Sequence, residues 1–488
     1  MDERMEILGK EMVKHCGGLP LAIVVLGGIL KHKETCVEWE TIHQCIKSYL
    51  KGEVIFRLLA LSYDDLPYEL KPCFLYLAMF PEDFEISRDR LINLWVAEGI
   101  IHPPRVERQG EEALEDIGYR YLTELAERYM IVVAKRDAIG RIKRCQMHDL
   151  MREFCLSKSQ EENFSHVVPL YGTQTQSLNI SSSSSSSSGR IRRLSLHLNR
   201  FPGNVALECE KYPPFKSLLG FSLDQLSGLS QRLTATLVHS FKLLRIMDLQ
   251  SVKHFIVPKK TSKLISANRK FTFKSRTTRH TPGMVRLGRV RPAAPPTLST
   301  TMPKTIGKLI HLRLLSFGTG YNIPKLPSSI GNLSCLLTLR IDFHYAQTLP
   351  NVFWKLKRLR HLYLPRWVGQ KTRLEFAGLT DLRTLVNFPT YCADVQDLIT
   401  LTNLRRLKIE ASGDVSLQKL QMMFMSPSIT FDNLRDFSIS DSLRTPQHPV
   451  IDDNIKSCCP RLLLLKSNGN VVYQKTVDVF RLEEEQLA

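Results

Sequence analysis

Leu309-Ile310-His311-Leu312-Arg313-Leu314-Leu315-Ser316-Phe317 places apolar residues at the first, fourth, seventh and ninth positions of a nine-residue stretch. The same spacing returns at Leu333-Leu336-Leu339-Ile341, at Leu356-Leu359-Leu362-Leu364 and at Leu401-Leu404-Leu407-Ile409, with a weaker copy at Leu379-Leu382-Leu385. The second leucines, at 312, 336, 359, 382 and 404, step by 24, 23, 23 and 22 residues. A period of that length with that pattern reads as a leucine-rich repeat, in which each coil gives one strand and turns its leucines into a shared core.

Looser copies extend the array on both sides. They stand at Leu194, at Leu218 and at Phe241-Leu244-Met247-Leu249 before it, and at Phe431-Leu434-Phe437-Ile439 and Leu462 to Leu465 after it. One step breaks the period, since 68 residues separate Leu244 from Leu312 where about 24 suffice. The excess falls on 259–302, a stretch without leucine periodicity that holds 11 Lys and Arg between Lys259 and Arg291. Removing it joins Val257-Pro258 to Pro303-Lys304-Thr305-Ile306-Gly307 and restores an ordinary repeat. Two readings compete: a disordered basic loop that binds phosphates, or non-native coding sequence such as a retained intron. The second is favoured.

The overall charge leads to the same segment. The chain of 488 residues carries a formal net charge of +19, yet 17 of its Lys and Arg lie in the acid-free interval between Asp248 and Asp342. The basicity is local, which weakens a nucleic-acid reading drawn from the total.

Helical signals dominate the first third. Met5, Leu8 and Met12 share one face, Gly17-Gly18 ends that helix, and Pro20 suits the first turn of the next. Tyr63-Asp64-Asp65-Leu66-Pro67 is expected to open a further helix with an Asp as its cap, and its face continues through Leu70, Phe74 and Leu77. Ser87 can cap a helix bearing Leu91, Leu94 and Trp95 that closes at Gly99, and a third presents Leu114, Ile117, Tyr121 and Leu125. Two short strands follow, Ile131 to Ala134 and Ile142 to Met147, around a turn at Asp137 to Gly140. Three helices and then a hairpin spell a winged helix. Another helix starts near His148-Asp149, and the eight serines 181–188 mark a linker or exposed loop.

An apolar content of 43% with 24% charged residues excludes wholesale disorder. Eleven cysteines form no CxxC pair and no paired His/Cys spacing, so no metal site is expected, and scattered thiols point to a reducing compartment. The longest apolar run, Leu19 to Leu30, is 12 residues and falls short of the ~20 that span a bilayer. Acidic Asp2, Glu3, Glu6 and Glu11 precede it where a secretory leader is positive, so the expected location is cytoplasmic.

Cys16-Gly17-Gly18-Leu19-Pro20-Leu21-Ala22 resembles the GLPL motif of plant disease-resistance proteins with a nucleotide-binding (NB-ARC) domain and leucine-rich repeats. Cys73 to Pro81 and Leu94-Trp95-Val96-Ala97-Glu98-Gly99 resemble that family's winged-helix entry motif, the tryptophan matching its coiled-coil class. Gln146-Met147-His148-Asp149-Leu150-Met151 resembles the Met-His-Asp motif closing the same domain. The resemblance implies an α+β multidomain architecture: 1–62 as the helical end of NB-ARC, 63–157 as the winged helix, 158–190 as a serine-rich linker, and 191–488 as an α/β repeat solenoid with the basic insert.

It also implies functional positions. In the family the motif around Gly18, Leu19, Pro20 and Leu21 lies against the adenine of ADP or ATP, and the histidine matching His148 reaches the phosphate. Met147, His148 and Asp149 would form the switch latch. No G-x-x-x-x-G-K-[ST] occurs in these 488 residues, so phosphate affinity is expected to be mostly lost and an ATPase is disfavoured. The chain begins just before the GLPL-like stretch and is expected to match the C-terminal half of such a receptor. Its repeats would fold back on the winged helix at rest and recognise a pathogen effector or a guarded host protein. An outward row of Ser316, Arg340, Tyr363, Val386 and Lys408 is the expected recognition surface. The alternative, a winged-helix nucleic-acid binder, conflicts with six Asp or Glu against the single Arg120 across Glu111 to Glu127. No catalytic constellation is expected, nor a specific nucleic-acid partner or transmembrane segment.

Overall fold

The computed structural model describes residues 3–48, 54–103, 112–171, 192–199, 215–223, 228–230, 238–239, 241–252, 254–256, 302–318, 325–341, 345–346, 348–369, 372–411, 414–426, 429–441, 455, 458–467 and 470–474. The serine tract and all of the basic insert except Met302 lie outside the described residues.

The chain opens with four helices, α1 (Glu3–His15), α2 (Pro20–Leu30), α3 (Cys36–Ser48) and α4 (Val54–Asp64). Gly17 and Gly18 take φ of 59° and 74°, the left-handed region that only glycine enters cheaply, and so turn the chain between α1 and α2. Pro20 stands at the start of α2, as its missing N–H allows. The expected Asp cap is not formed. Asp64 ends α4, and Asp65 instead pairs with Lys33 at 2.6 Å and Arg128 at 3.0 Å, so two cations outcompete a helix terminus for that carboxylate.

The winged helix follows as α5 (Leu70–Tyr76), β1 (Ile86–Ser87), α6 (Arg88–Glu98), α7 (Leu114–Glu127), β2 (Val132–Arg136), β3 (Ile142–Gln146) and α8 (Asp149–Glu161). Ser87 caps α6 by accepting from the Arg90 amide at 3.2 Å, and Gly99 closes it at φ 81°. Strand β1, too short to show in the sequence, completes a three-stranded sheet in the order β1-β3-β2.

The solenoid then runs β4 (His166–Tyr171), β5 (Arg193–Asn199), β6 (Ser217–Ser222), β7 (Gly228–Ser230), β8 (Ile246–Ser251), β9 (His254–Ile256), β10 (Leu314–Phe317), β11 (Thr338–Ile341), β12 (Tyr345–Ala346), β13 (His361–Tyr363), β14 (Trp367–Val368), β15 (Thr384–Pro389), β16 (Arg406–Ala411), α9 (Asp414–Met425), β17 (Asp436–Asp441), β18 (Leu464–Ser467) and β19 (Asn470–Gln474). Twelve of these strands form one sheet ordered β19-β18-β17-β16-β15-β13-β11-β10-β8-β6-β5-β4, parallel except at β18–β19. Strand β4 corrects the expected boundary, because it lies inside the supposed linker 158–190 and pairs with β5 from His166↔Leu194 onward. It lacks the leucine pattern because it is the terminal strand, where Pro169 is tolerated.

The repeat leucines behave as their spacing demands. Leu312, Leu336, Leu359, Leu382 and Leu404 are all buried in one continuous core. Phe353, Phe376 and Phe388 stack through it, with ring centroids 6.1 and 5.4 Å apart. The broken period is explained by the sheet itself: β8 pairs directly with β10, Ile246 opposite Leu314 and Leu249 opposite Phe317. The solenoid takes one step where the sequence takes 68 residues.

Candidate functional site

The concave face of the sheet is not open. It carries the winged helix, and the two core clusters meet there: Leu219, Phe221, Ile246 and Leu314 of the early repeats pack into the same apolar cluster as Phe80, Leu91 and Trp95. At Met79 the backbone carbonyl accepts from Ser195 Oγ at 2.6 Å and lies 3.1 Å from His197 Nε2. Burial drives the His197 pKa down to about 4, which keeps the ring neutral at pH 7 and suits it to donate to that carbonyl.

Across the later repeats the contact changes from apolar to ionic. The residue after the second leucine is basic at Arg245, Arg313, Arg360, Arg383, Arg405 and Arg435, with leucine in its place at Leu337 and, in the last repeat, Leu463. These positions form a physical row: the Arg383 amide donates to the Arg360 carbonyl, Arg405 to Arg383 and Arg435 to Arg405, each at 2.8 Å. Helix α7 lays its acidic first turn on that row. Glu115 pairs with Arg383, lies 3.0 Å from His361 Nε2 and 3.8 Å from Arg360. Asp116 accepts from Arg405 at 2.5 Å and Arg435 at 3.5 Å.

Helix α6 adds three more ties. Its Asp89 pairs with Arg406, its Arg90 reaches Asp248 at 2.7 Å and Ser251 at 2.8 Å, and its Glu98 takes Arg193 at 2.9 Å and the Ser217 hydroxyl. From the hairpin turn, Arg141 reaches Asp436 at 3.3 Å. Burial raises the carboxyl pKa of Asp89, but the Arg406 and Arg88 guanidiniums outweigh it and hold the group far below the usual carboxylate range. Glu115 is likewise pushed up by burial and then held well below its ordinary value by the hydrogen bond and charge of His361 and the charge of Arg383. Both are therefore ionised at neutral pH, and the seam is a matched array of half-buried ion pairs.

The expected recognition row is in register, with Ser316, Arg340, Tyr363, Val386 and Lys408 lying side by side across β10, β11, β13, β15 and β16. Its availability is corrected: Ser316 is 3% and Tyr363 7% exposed, and the Arg340 guanidinium sits 3.5 Å over the Tyr363 ring. Ser316 and Tyr363 are closed off from solvent, whereas Arg340, Val386 and Lys408 are half-buried. The arginine row lies three residues earlier; it is absent from the expected site residues, although the L-x-x-L-R step recurs at 23 and 22 residues through Arg360, Arg383 and Arg405.

The Met-His-Asp segment sits at the entrance of α8. Met147 is buried, while His148 and Asp149 are exposed. His148, not Asp149, is the cap: its Nδ1 accepts from the Leu150 amide at 3.3 Å, which takes one of the N–H groups an anion at this terminus would use. Gly18, Leu19 and Pro20 are exposed at the α1–α2 turn and Leu21 is half-buried. A cavity of about 490 Å³ lies elsewhere, between α5 and α7 and lined by Pro67, Tyr68, His102, Arg120, Tyr121 and Glu124. No group of three or more potential metal ligands occurs among the described residues, and none of the described helices is long and apolar enough to cross a membrane.

A winged helix seated on the concave face of a leucine-rich-repeat solenoid defines the class. Residues 79–155 match the family described as "Disease resistance protein Winged helix domain" and residues 297–470 match "Leucine-rich repeat region". The chain is 36% identical over 428 residues to probable disease resistance RPP8-like protein 2 of Arabidopsis thaliana, covering 85% of this chain and 40% of that protein. It is 35% identical over 431 residues to disease resistance protein RPP8 of the same plant, covering 86% and 40%. Probable disease resistance protein RF45, again from Arabidopsis thaliana, is 34% identical over 506 residues, covering 100% and 44%. The chain is similar to these plant disease-resistance proteins and spans about two fifths of their length.

Proposed function

We propose that this chain is the regulatory and recognition portion of a plant immune receptor of the coiled-coil, nucleotide-binding, leucine-rich-repeat type. The observation that carries the reading is the seam in which Glu115, Asp116 and Asp89 of the winged helix neutralise Arg383, Arg405 and Arg406 of the repeats. Such a seam suits a resting arrangement, held shut until a ligand on the repeats favours another. Ser316 and Tyr363 of the expected recognition row are buried while Arg340, Val386 and Lys408 remain half-exposed, so a pathogen effector or guarded host protein would compete with the seam or bind beside it.

The chain would work in the cytoplasm as a binding switch rather than as a catalyst. ADP is the expected resting nucleotide of the complete receptor, with Pro20 against the adenine and His148 near the phosphate. A nucleic-acid role is not favoured, because the acidic α7 is engaged with arginines of the repeats. Disrupting the gene and challenging the plant with a pathogen panel tests the reading. Loss of resistance to at least one isolate is expected, and unchanged resistance to every isolate argues against it.

A further inference from the structure

The last repeat holds two adjacent cysteines whose thiols face each other. Cys458 Sγ and Cys459 Sγ are 3.6 Å apart, and Cys458 Sγ also lies 3.4 Å from the Ile455 carbonyl oxygen. Both are nearly enclosed, Cys458 at 6% and Cys459 at 1% exposure, which leaves Cys458 as the point of entry for a small reagent. We propose that Cys458 and Cys459 form a redox modification site, in which a peroxide converts the facing thiols to a reversible vicinal disulfide.

The chemistry sets Cys458 apart as the attacking thiol, since the hydrogen bond to Cys458 and burial push the Cys459 pKa up and leave Cys459 as the protonated partner. Burial raises the pKa of Cys145 and Cys392 to about 12, and pushes Cys73 and Cys155 up as well, so these remain protonated and inert. Cys458 moves the other way, because the Cys459 thiol donates to its sulfur and stabilises the thiolate. The Cys458 thiolate attacks one peroxide oxygen; the O–O bond breaks and hydroxide leaves, giving a sulfenic acid. The Cys459 thiol then attacks that sulfur, the S–S bond forms and the S–O bond breaks with loss of water. Two thiols and one hydrogen peroxide thus give one disulfide and two waters.

Geometry makes the product labile. Neighbouring Cα atoms across a trans peptide stand about 3.8 Å apart, below the roughly 4.4–6.8 Å usual for a disulfide, and strain of that kind favours reduction. Closing the ring must also deform the 458–459 peptide. That peptide is anchored: the Phe431 amide donates to the Cys458 carbonyl at 2.7 Å, and the Cys459 amide to Ile455 at 2.9 Å. Phe431 packs on Phe424 and leads into β17, whose Asp436 takes Arg141 of the winged helix. Oxidation therefore pulls on one end of the seam.

The test treats the full chain with stoichiometric hydrogen peroxide and maps peptides without reduction. The peptide containing both cysteines should lose two hydrogens before other thiols change, and dithiothreitol should restore them. In Cys459→Ser the same peptide should instead carry a dimedone-trapped sulfenic acid at Cys458, with no loss of hydrogens. A Cys458→Ser chain, checked for a cooperative unfolding transition, should give neither product at Cys459. A pair that stays reduced while Cys36 oxidises, or that passes to sulfinic acid without a disulfide, overturns the proposal. Exchange of the Phe431 amide should rise severalfold on oxidation, and unchanged exchange would overturn the coupling to β17.

Discussion

Arg90 of the winged helix and Asp248 of the repeats, 158 positions apart in sequence, meet at 2.7 Å inside a cage of Phe80, Phe84 and Phe221, whose ring centroids lie 5.1–5.6 Å from the guanidinium. The pair is almost fully enclosed, Arg90 at 6% and Asp248 at 1% exposure. Removing one partner strands the other charge in a low-dielectric site, which costs about 3–5 kcal/mol. Asp248→Ala should lower stability by that amount in urea titrations. Arg90→Met with Asp248→Leu, which removes both charges, should recover most of it.

The arginine-paired end of the seam at Asp89 should be insensitive to pH through the neutral range. Glu115 and Asp89 have folded pKa values depressed below their unfolded values near 4.3 and 3.9, so their contribution is present above about pH 5 and is lost as pH falls toward the folded values. Urea midpoints of Asp89→Asn relative to the unaltered chain should therefore differ by a constant amount from pH 8 to 6, because its partners Arg406 and Arg88 stay charged throughout. The difference should shrink only on strong acidification. A difference that vanishes between pH 7 and 6 would count against these pairs.

His197 should impose a separate pH dependence. Its folded pKa of about 4 lies below the unfolded value of about 6.5, so the unfolded chain binds the proton first and stability falls as pH drops through that window. Between pH 7 and 5 the loss should be roughly 2 kcal/mol. His197→Gln, which keeps a donor for the Met79 carbonyl, should flatten this part of the profile. An unchanged slope would show that the ring titrates normally.

Excising 259–301 should leave the fold standing. Strands β8 and β10 already pair with Ile246 opposite Leu314, and loop-closure cost grows only slowly with length. The shortened chain should keep its cooperative transition within about 1 kcal/mol of the original, while a collapse of that transition would show that the segment is structural.

The fold was legible wherever a side chain repeats at a fixed interval. Leu312, Leu336 and Leu359 announce the solenoid because each occupies the same place in a parallel coil. Ser87 and Gly99 announce the ends of α6 because a cap needs only local partners. The site was less legible. Asp65 looked like a cap because its true partners, Lys33 and Arg128, are 32 and 63 positions away. Ser316 and Tyr363 looked outward because alternation along a strand gives the face but not what covers it. The acidity of α7 is plain in the sequence, but its partners, Arg383, Arg405 and Arg435, lie 268, 289 and 319 positions away and only the fold brings them together.

Glu115 of the winged helix and Arg383 of the repeats, 268 residues apart, are in direct contact. A double-mutant cycle with Glu115→Gln, Arg383→Gln and both together, read by unfolding free energy at low salt, measures it. The seam predicts a coupling of about 1 kcal/mol or more that weakens as salt rises. Additivity within about 0.5 kcal/mol, the behaviour of residues more than roughly 10 Å apart, would contradict a winged helix docked on the arginine row.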